Sequence, residues 1–217
     1  MAQLEALLLD AYQTILYTDF RPYAQELPRL AGVPAESFYS AYAQIAPLVT
    51  VGQTTVVQAF GEALTMCGVV PRPELERELA DKSRELLLKA GTLYDDVLPF
   101  LHDARGRGLK IAIVSNCDEN TRDLLDELGI TALVDTLILS CEVHAAKPDP
   151  KIYTRALDAL GAASESALFV DDNAGFCAAA TKLGIAAARI TRGRPQAEIP
   201  GLTTVRTLPE LEPLLSA

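Results

Sequence analysis

LLLDAYQTI, residues 7–15, sets three leucines directly against a carboxylate, Asp10. Residues 4–10 read as a short strand buried on both faces, because such strands show unbroken apolar runs rather than alternation. The pattern returns along the chain. KIAIVS at 110–115, TLILS at 136–140, ALFV at 167–170 and AARI at 187–190 are each brief and mostly apolar. Helix-like stretches at 96–107, 120–128, 150–160 and 174–183 separate these runs, and Gly108, Gly129, Gly161 and Gly184 stand just past them, where helices commonly end. Strands alternating with helices predict an α/β fold, a Rossmann-like parallel sheet with helices on both faces. A last helix is expected over 208–215.

Residues 19–90 break the alternation. Apolar residues at helical spacing, among them Phe38, Tyr42 and Ile45, are punctuated by Pro and Gly at 28, 32–34, 47, 52 and 68–73. That punctuation predicts about four helices and no strand. The expected organisation is therefore a core of 1–15 and 91–217, with a helical cap inserted at 16–90.

A chain of 217 residues can bury a sizeable core, and its 49% hydrophobic and 22% charged content is ordinary for a globular protein. The formal net charge of −10 argues against a nucleic-acid partner, which needs a basic surface. No apolar run reaches the roughly 18–20 residues that span a bilayer, and the first residues lack the basic start of a signal peptide. A cytoplasmic location without membrane association is the expectation; nothing specifies an oligomeric state. The four cysteines are widely spaced without a Cys-x-x-Cys pair, so they read as reduced, small apolar residues rather than a zinc site.

Ligands of open parallel sheets bind at the carboxyl ends of the strands, where strand order reverses. The polar residues found there should make chemical sense together. The first strand delivers Asp10, then Tyr12 and Thr14; the second delivers Ser115 and Asn116. The third leads to Lys147 in the Lys147-Pro148-Asp149-Pro150 turn, and the fourth delivers Asp171, Asp172 and Asn173. Singly, each has a plain assignment as a turn or helix cap. Together, three carboxylates on one edge repel one another, and a hard divalent cation such as Mg²⁺ relieves that repulsion through oxygen ligands. Lys147 suits an anionic oxygen, and Ser115 can donate to a transferring group. The set implies covalent catalysis by a carboxylate on a small anionic substrate.

At this point the residues resemble the haloacid dehalogenase superfamily, which holds many phosphatases and a smaller set of dehalogenases. LLLDAYQTI resembles its first motif, IVSN (113–116) its second, AAKPDPKIY (145–153) its third and ALFVDDNAGFCAAATKLGI (167–185) its fourth. The resemblance implies that Asp10 is the nucleophile, with Ser115 positioning the transferred group and Lys147 supporting Asp10. It also implies that Asp171 and Asp172 join Asp10 and the Tyr12 carbonyl in holding Mg²⁺.

Two departures set competing expectations. Phosphatases of the superfamily usually carry a second Asp two residues after the nucleophile, as acid and base; here it is Tyr12, as in L-2-haloacid dehalogenases. The fourth motif points the other way: those dehalogenases use no metal and carry Ser-Ser-Asn with a later Asp, whereas here Asp171-Asp172-Asn173 is followed by Phe176. The cap segment 38–45 also lacks the arginine with which they hold their substrate, Arg21 and Arg29 being its nearest. Gln13 stands where Gly is usual and would crowd the loop. The first expectation is Mg²⁺-dependent phosphoester hydrolysis. The alternatives are metal-independent 2-haloacid dehalogenation and a binding or regulatory protein that has lost turnover. Two smaller features complete the reading. Tyr17, Phe20 and Tyr23 would line the cleft unless they form an ordinary apolar helix face. Cys117, with His144 its candidate base, would be a nucleophile unless it is simply buried.

Overall fold

The computed structural model describes residues 3–215. Six parallel strands form the central sheet: β1 (Ala6–Leu9), β4 (Lys110–Ser115), β5 (Thr136–Leu139), β6 (Ala167–Asp171), β7 (Ala186–Ile190) and β8 (Thr203–Val205). Their order is β5-β4-β1-β6-β7-β8. After β1 the chain builds outward through β4 and β5, then returns to place β6 on the other side of β1. Strand order reverses there, so the ends of β1 and β6 flank the crevice where ligands of such sheets bind.

The unbroken apolar runs are explained by two-sided burial. Leu7, Leu9, Ile111, Ile113, Leu168 and Val170 point into one core with α5 (Val97–Gly106) and α6 (Asn120–Glu127). Their neighbours Ala6, Leu8, Ala112, Val114 and Phe169 point into the opposite core with α8 (Pro150–Leu160) and α9 (Ala174–Lys182). Successive residues of a strand face opposite sides, so a strand covered on both must be apolar at every position.

Between residues 21 and 90 lie α1 (Arg21–Ala31), α2 (Ala35–Thr50), α3 (Val56–Met66) and α4 (Pro73–Ala90), packed around their own buried cluster that includes Phe38, Phe60, Leu64 and Leu79. A short antiparallel ribbon, β2 (Leu16–Thr18) with β3 (Gly91–Leu93), joins the entering and leaving chains. The helices also touch the rest of the protein away from the ribbon. The Val56 amide at the start of α3 donates to Glu119 (2.8 Å), and the Ser140 hydroxyl, opening α7 (Ser140–Val143), donates to the Thr50 carbonyl (2.6 Å). Gly52 makes that approach possible, because a Cβ there would stand 1.9 Å from the Cys141 carbonyl oxygen.

Gln13 does not crowd the loop after β1. It takes a left-handed conformation (φ 60°) and its amide bonds the Leu16 carbonyl at 2.6 Å. The left-handed backbone, which a glycine adopts freely, costs a residue with a side chain roughly 1–2 kcal/mol. The expected last helix is a 3₁₀ turn, Leu208–Leu211, running into a single helical turn, α10 (Glu212–Leu215).

Candidate active site

Asp10 follows β1, and its amide is held by the Val170 carbonyl of β6 at 2.9 Å. Asp171 is the last residue of β6. Lys147 reaches both carboxylates: its ammonium donates to Asp10 Oδ1 at 2.5 Å and to Asp171 Oδ2 at 2.7 Å, with all three side chains buried. One carboxylate oxygen each from Asp10, Asp171 and Asp172 lies within 4.8 Å of the others. An all-oxygen donor set of this kind fits a hard divalent cation. Burial pushes Asp10 above the usual carboxylate range, and Lys147 opposes that. Burial and the nearby charge of Asp10 together push Asp171 up to about 7. Asp172 is half-buried and paired with Arg194 at 2.9 Å.

The remaining expected site residues fall into three groups. The Ser115 and Thr14 hydroxyls are fully buried and meet no partner in hydrogen-bonding geometry, although Thr14 lies close enough to Asp10 to favour its ionised form. An orphaned buried hydroxyl is costly, and at the end of a sheet it is available to a ligand. Asn116 holds the backbone in place, its side chain donating to the Lys147 carbonyl (2.8 Å) and accepting from the Lys147 amide (2.7 Å). Tyr12 is turned away, its hydroxyl bonded to Thr121 at 2.9 Å, and burial raises its pKa further above the ordinary tyrosine value. It neither bonds Asp10 nor gives up its proton readily.

The sequence model of the haloacid dehalogenase-like hydrolases matches residues 4–215. The chain belongs to that family. Over 196 residues this hydrolase is 28% identical to Phosphatase MT3486 of Mycobacterium tuberculosis (strain CDC 1551 / Oshkosh), a match covering 87% of this chain and 88% of that protein. It is 31% identical over 141 residues to (S)-2-haloacid dehalogenase 1 of Pseudomonas sp. (strain CBS-3), covering 64% of this chain and 60% of that protein, under two thirds of its length. A solved structure described as a dehalogenase aligns over 100% of this chain and 99% of its own, at 27% identity and a TM-score of 0.69. The likenesses run to both activities, so this hydrolase's own residues must discriminate.

Two arginines missed by sequence reasoning frame the site. Arg192 donates to the Thr14 carbonyl, binds both Asp96 oxygens (2.8 and 2.7 Å) and lies 4.1 Å from the Tyr94 ring centre, so it anchors the loop after Asp10. Arg194 is the partner of Asp172. The strand-end rule extended to β7, whose end runs into Thr191-Arg192-Gly193-Arg194, would have found both. Where a later carboxylate would stand in the dehalogenase pattern, the Phe176 ring centre lies 5.3 Å from the Lys147 ammonium.

A cavity of about 650 Å³ opens between helices α1–α4 and the turn at 116–118. Phe20 and Tyr23 line it, so they are more than an apolar helix face; Tyr17 does not. Arg21 and Arg29 are absent from its lining, and Arg21 is paired instead with Asp19. Cys117 is a buried thiol whose pKa is pushed up, and His144 bonds the Val51 carbonyl at 2.9 Å. The plain assignment of Cys117 therefore holds.

Lys147→Met leaves Asp10 and Asp171 buried without their shared cation. Breaking a buried pair from one side costs about 3–5 kcal/mol, or roughly 6–20 °C in Tm for a protein of this size. Calorimetric melting at pH 8 in EDTA should show that drop, and an unchanged Tm would mean that the lysine does not offset the carboxylates.

Proposed function

We propose that this hydrolase cleaves phosphoesters of small metabolites with Mg²⁺ as cofactor. The observation that carries the reading is the oxygen cluster of Asp10, Asp171 and Asp172 beside the orphaned Ser115 hydroxyl. Asp10, Asp171 and Asp172 would hold the ion, with the Tyr12 backbone carbonyl as a further ligand. Bound Mg²⁺ would neutralise the carboxylates and the phosphoryl oxygens.

In this reading an Asp10 oxygen attacks phosphorus in line, forming an aspartyl phosphate as the bond from phosphorus to the alcohol oxygen breaks, and the alcohol leaves as an oxyanion that takes its proton from solvent. Ser115 donates to a phosphoryl oxygen as its charge shifts, while Lys147 keeps Asp10 ionised and ready. Asn116 acts as a positioning residue through Lys147. Water then hydrolyses the acyl phosphate, returning Asp10 and free phosphate. The surrounding helices, with residues 16–90 as cap, supply the walls around the leaving group.

The test is phosphate release from an aryl phosphate, chosen because its leaving group is weakly basic and needs little protonation. Mg²⁺ should stimulate it, and EDTA should lower it by about 10² or more, consistent with a metal that supplies several kcal/mol of charge stabilisation. A second reading, metal-independent 2-haloacid dehalogenation, is favoured by Tyr12, since displaced halide needs no proton. Halide release from 2-chloropropionate that survives EDTA would establish it in place of the first. Neither activity over a broad substrate panel would leave a binding or regulatory role.

A further inference from the structure

The cap cavity is built from π surface and one negative charge. Among the described residues that line it, Asp118 is the only charged one. Aromatic rings form two packed runs around it. Tyr12 meets Phe20 (centroids 6.4 Å apart) and Phe20 meets Tyr23 (5.6 Å); Tyr42 stacks on Phe60 (5.2 Å), which stacks on Phe38 (5.9 Å). Several polar tips are already engaged: Tyr12 with Thr121, Tyr23 with the Ser83 carbonyl at 2.8 Å, and Tyr39 with the Tyr23 carbonyl. Phe38 and Phe60 are buried behind the others, so the ring surface left for a ligand is that of Tyr12, Phe20, Tyr23, Tyr39 and Tyr42.

Asp118 accepts one bond, from the Asn120 amide at 2.9 Å, and no lysine, arginine or histidine among the described residues pairs with it. An unpaired, half-buried carboxylate is costly unless a cation reaches it. Burial raises its carboxyl to about 6, so it is ionised at pH 8. It sits three residues past Ser115, at most about 11 Å of chain away, and Asn116, next to Ser115, lines the same cavity.

We infer that the substrate is a phosphoester whose alcohol carries a substituted ammonium group, held by the aromatic faces and the Asp118 carboxylate. This rests on the reading of the chain as a phosphoester hydrolase. Cations are attracted to ring faces by the aromatic quadrupole, and a carboxylate at the cage adds direct charge pairing. The lining also disfavours a second anion on the leaving group, since no cation there would receive it.

The decisive comparison is phosphocholine against 3,3-dimethylbutyl phosphate, which has the same shape without the charge. With the full chain, Mg²⁺ and pH 8, kcat/KM should favour phosphocholine at least tenfold, and Asp118→Asn should bring the ratio below about threefold. Tyr42→Leu, which keeps an apolar wall but removes a ring, should also lower the ratio and serves if Asp118→Asn fails to fold. Equal or better turnover of the ester lacking the ammonium overturns the inference, as does a preference that survives both substitutions. Saturation-transfer NMR with choline and 3,3-dimethylbutanol reads the cage without turnover. Choline binding that weakens in Asp118→Asn, in a protein that cleaves no phosphoester, would keep the cage and remove the phosphatase reading. Phosphoester turnover without selective choline binding would do the reverse.

Discussion

Asp10→Asn should lower phosphate release by about 10⁴ or more while leaving the protein folded. Removing the nucleophile of a covalent mechanism eliminates the reaction path, and such losses reach about 10⁶ in well-studied hydrolases. The amide has the carboxylate's size, and its oxygen can still accept from Lys147, whose bond to Asp171 is untouched. Stability argues in a useful direction. A carboxyl whose pKa is raised in the folded state binds its proton more tightly there than when unfolded, so at pH above both values its ionisation opposes folding. An amide carries no such cost. Activity should therefore vanish while Tm at pH 8 holds or rises, a combination that general unfolding cannot produce. Initial rates with an aryl phosphate, paired with calorimetry, measure both. Full activity in this variant would remove the covalent mechanism.

The fold was legible where burial is two-sided. KIAIVS reads as a strand because Ile111 and Ile113 face one core while Ala112 and Val114 face the other, and β4 spans Lys110–Ser115. The edge strand β8 and the two ribbon strands were not legible. Thr203 and Thr204 of β8 are exposed, and β2 with β3 exists only through a pairing across more than seventy positions of chain, which no local pattern records. The same division runs through the site. Asp10, Lys147 and Asp171 were readable because each ends a core strand or opens a turn beside one, and the fold brings them within hydrogen-bonding reach. Asp118, Arg192 and Arg194 take their meaning from what faces them: an aromatic cavity, the Thr14 carbonyl, and Asp172. Asn116 was placed with the chemistry by position, whereas its side chain is committed to the Lys147 backbone.

Tyr12→Asp should raise turnover of an alkyl phosphate by roughly 10² or more, within the 10²–10⁴ that a positioned acid–base group contributes, and change aryl phosphate turnover little. The difference lies in the leaving groups: an alkoxide must be protonated as it departs, whereas an aryl oxide leaves without help. In the native protein nothing at position 12 can supply that proton, because the tyrosine hydroxyl is bonded to Thr121 and burial raises its pKa. An aspartate there would be too short to keep that bond and would sit two residues from the nucleophile. It would also remove the ring that faces Phe20, so KM is expected to rise for substrates that use the cavity wall. Tyr12→Phe separates the two effects. It keeps the ring and loses only the hydroxyl, and should leave both rates near native. If Tyr12→Asp leaves the alkyl rate unchanged or lowers it while Tyr12→Phe is also slow, the hydroxyl itself contributes to turnover. The absent acid would then no longer describe what limits this enzyme.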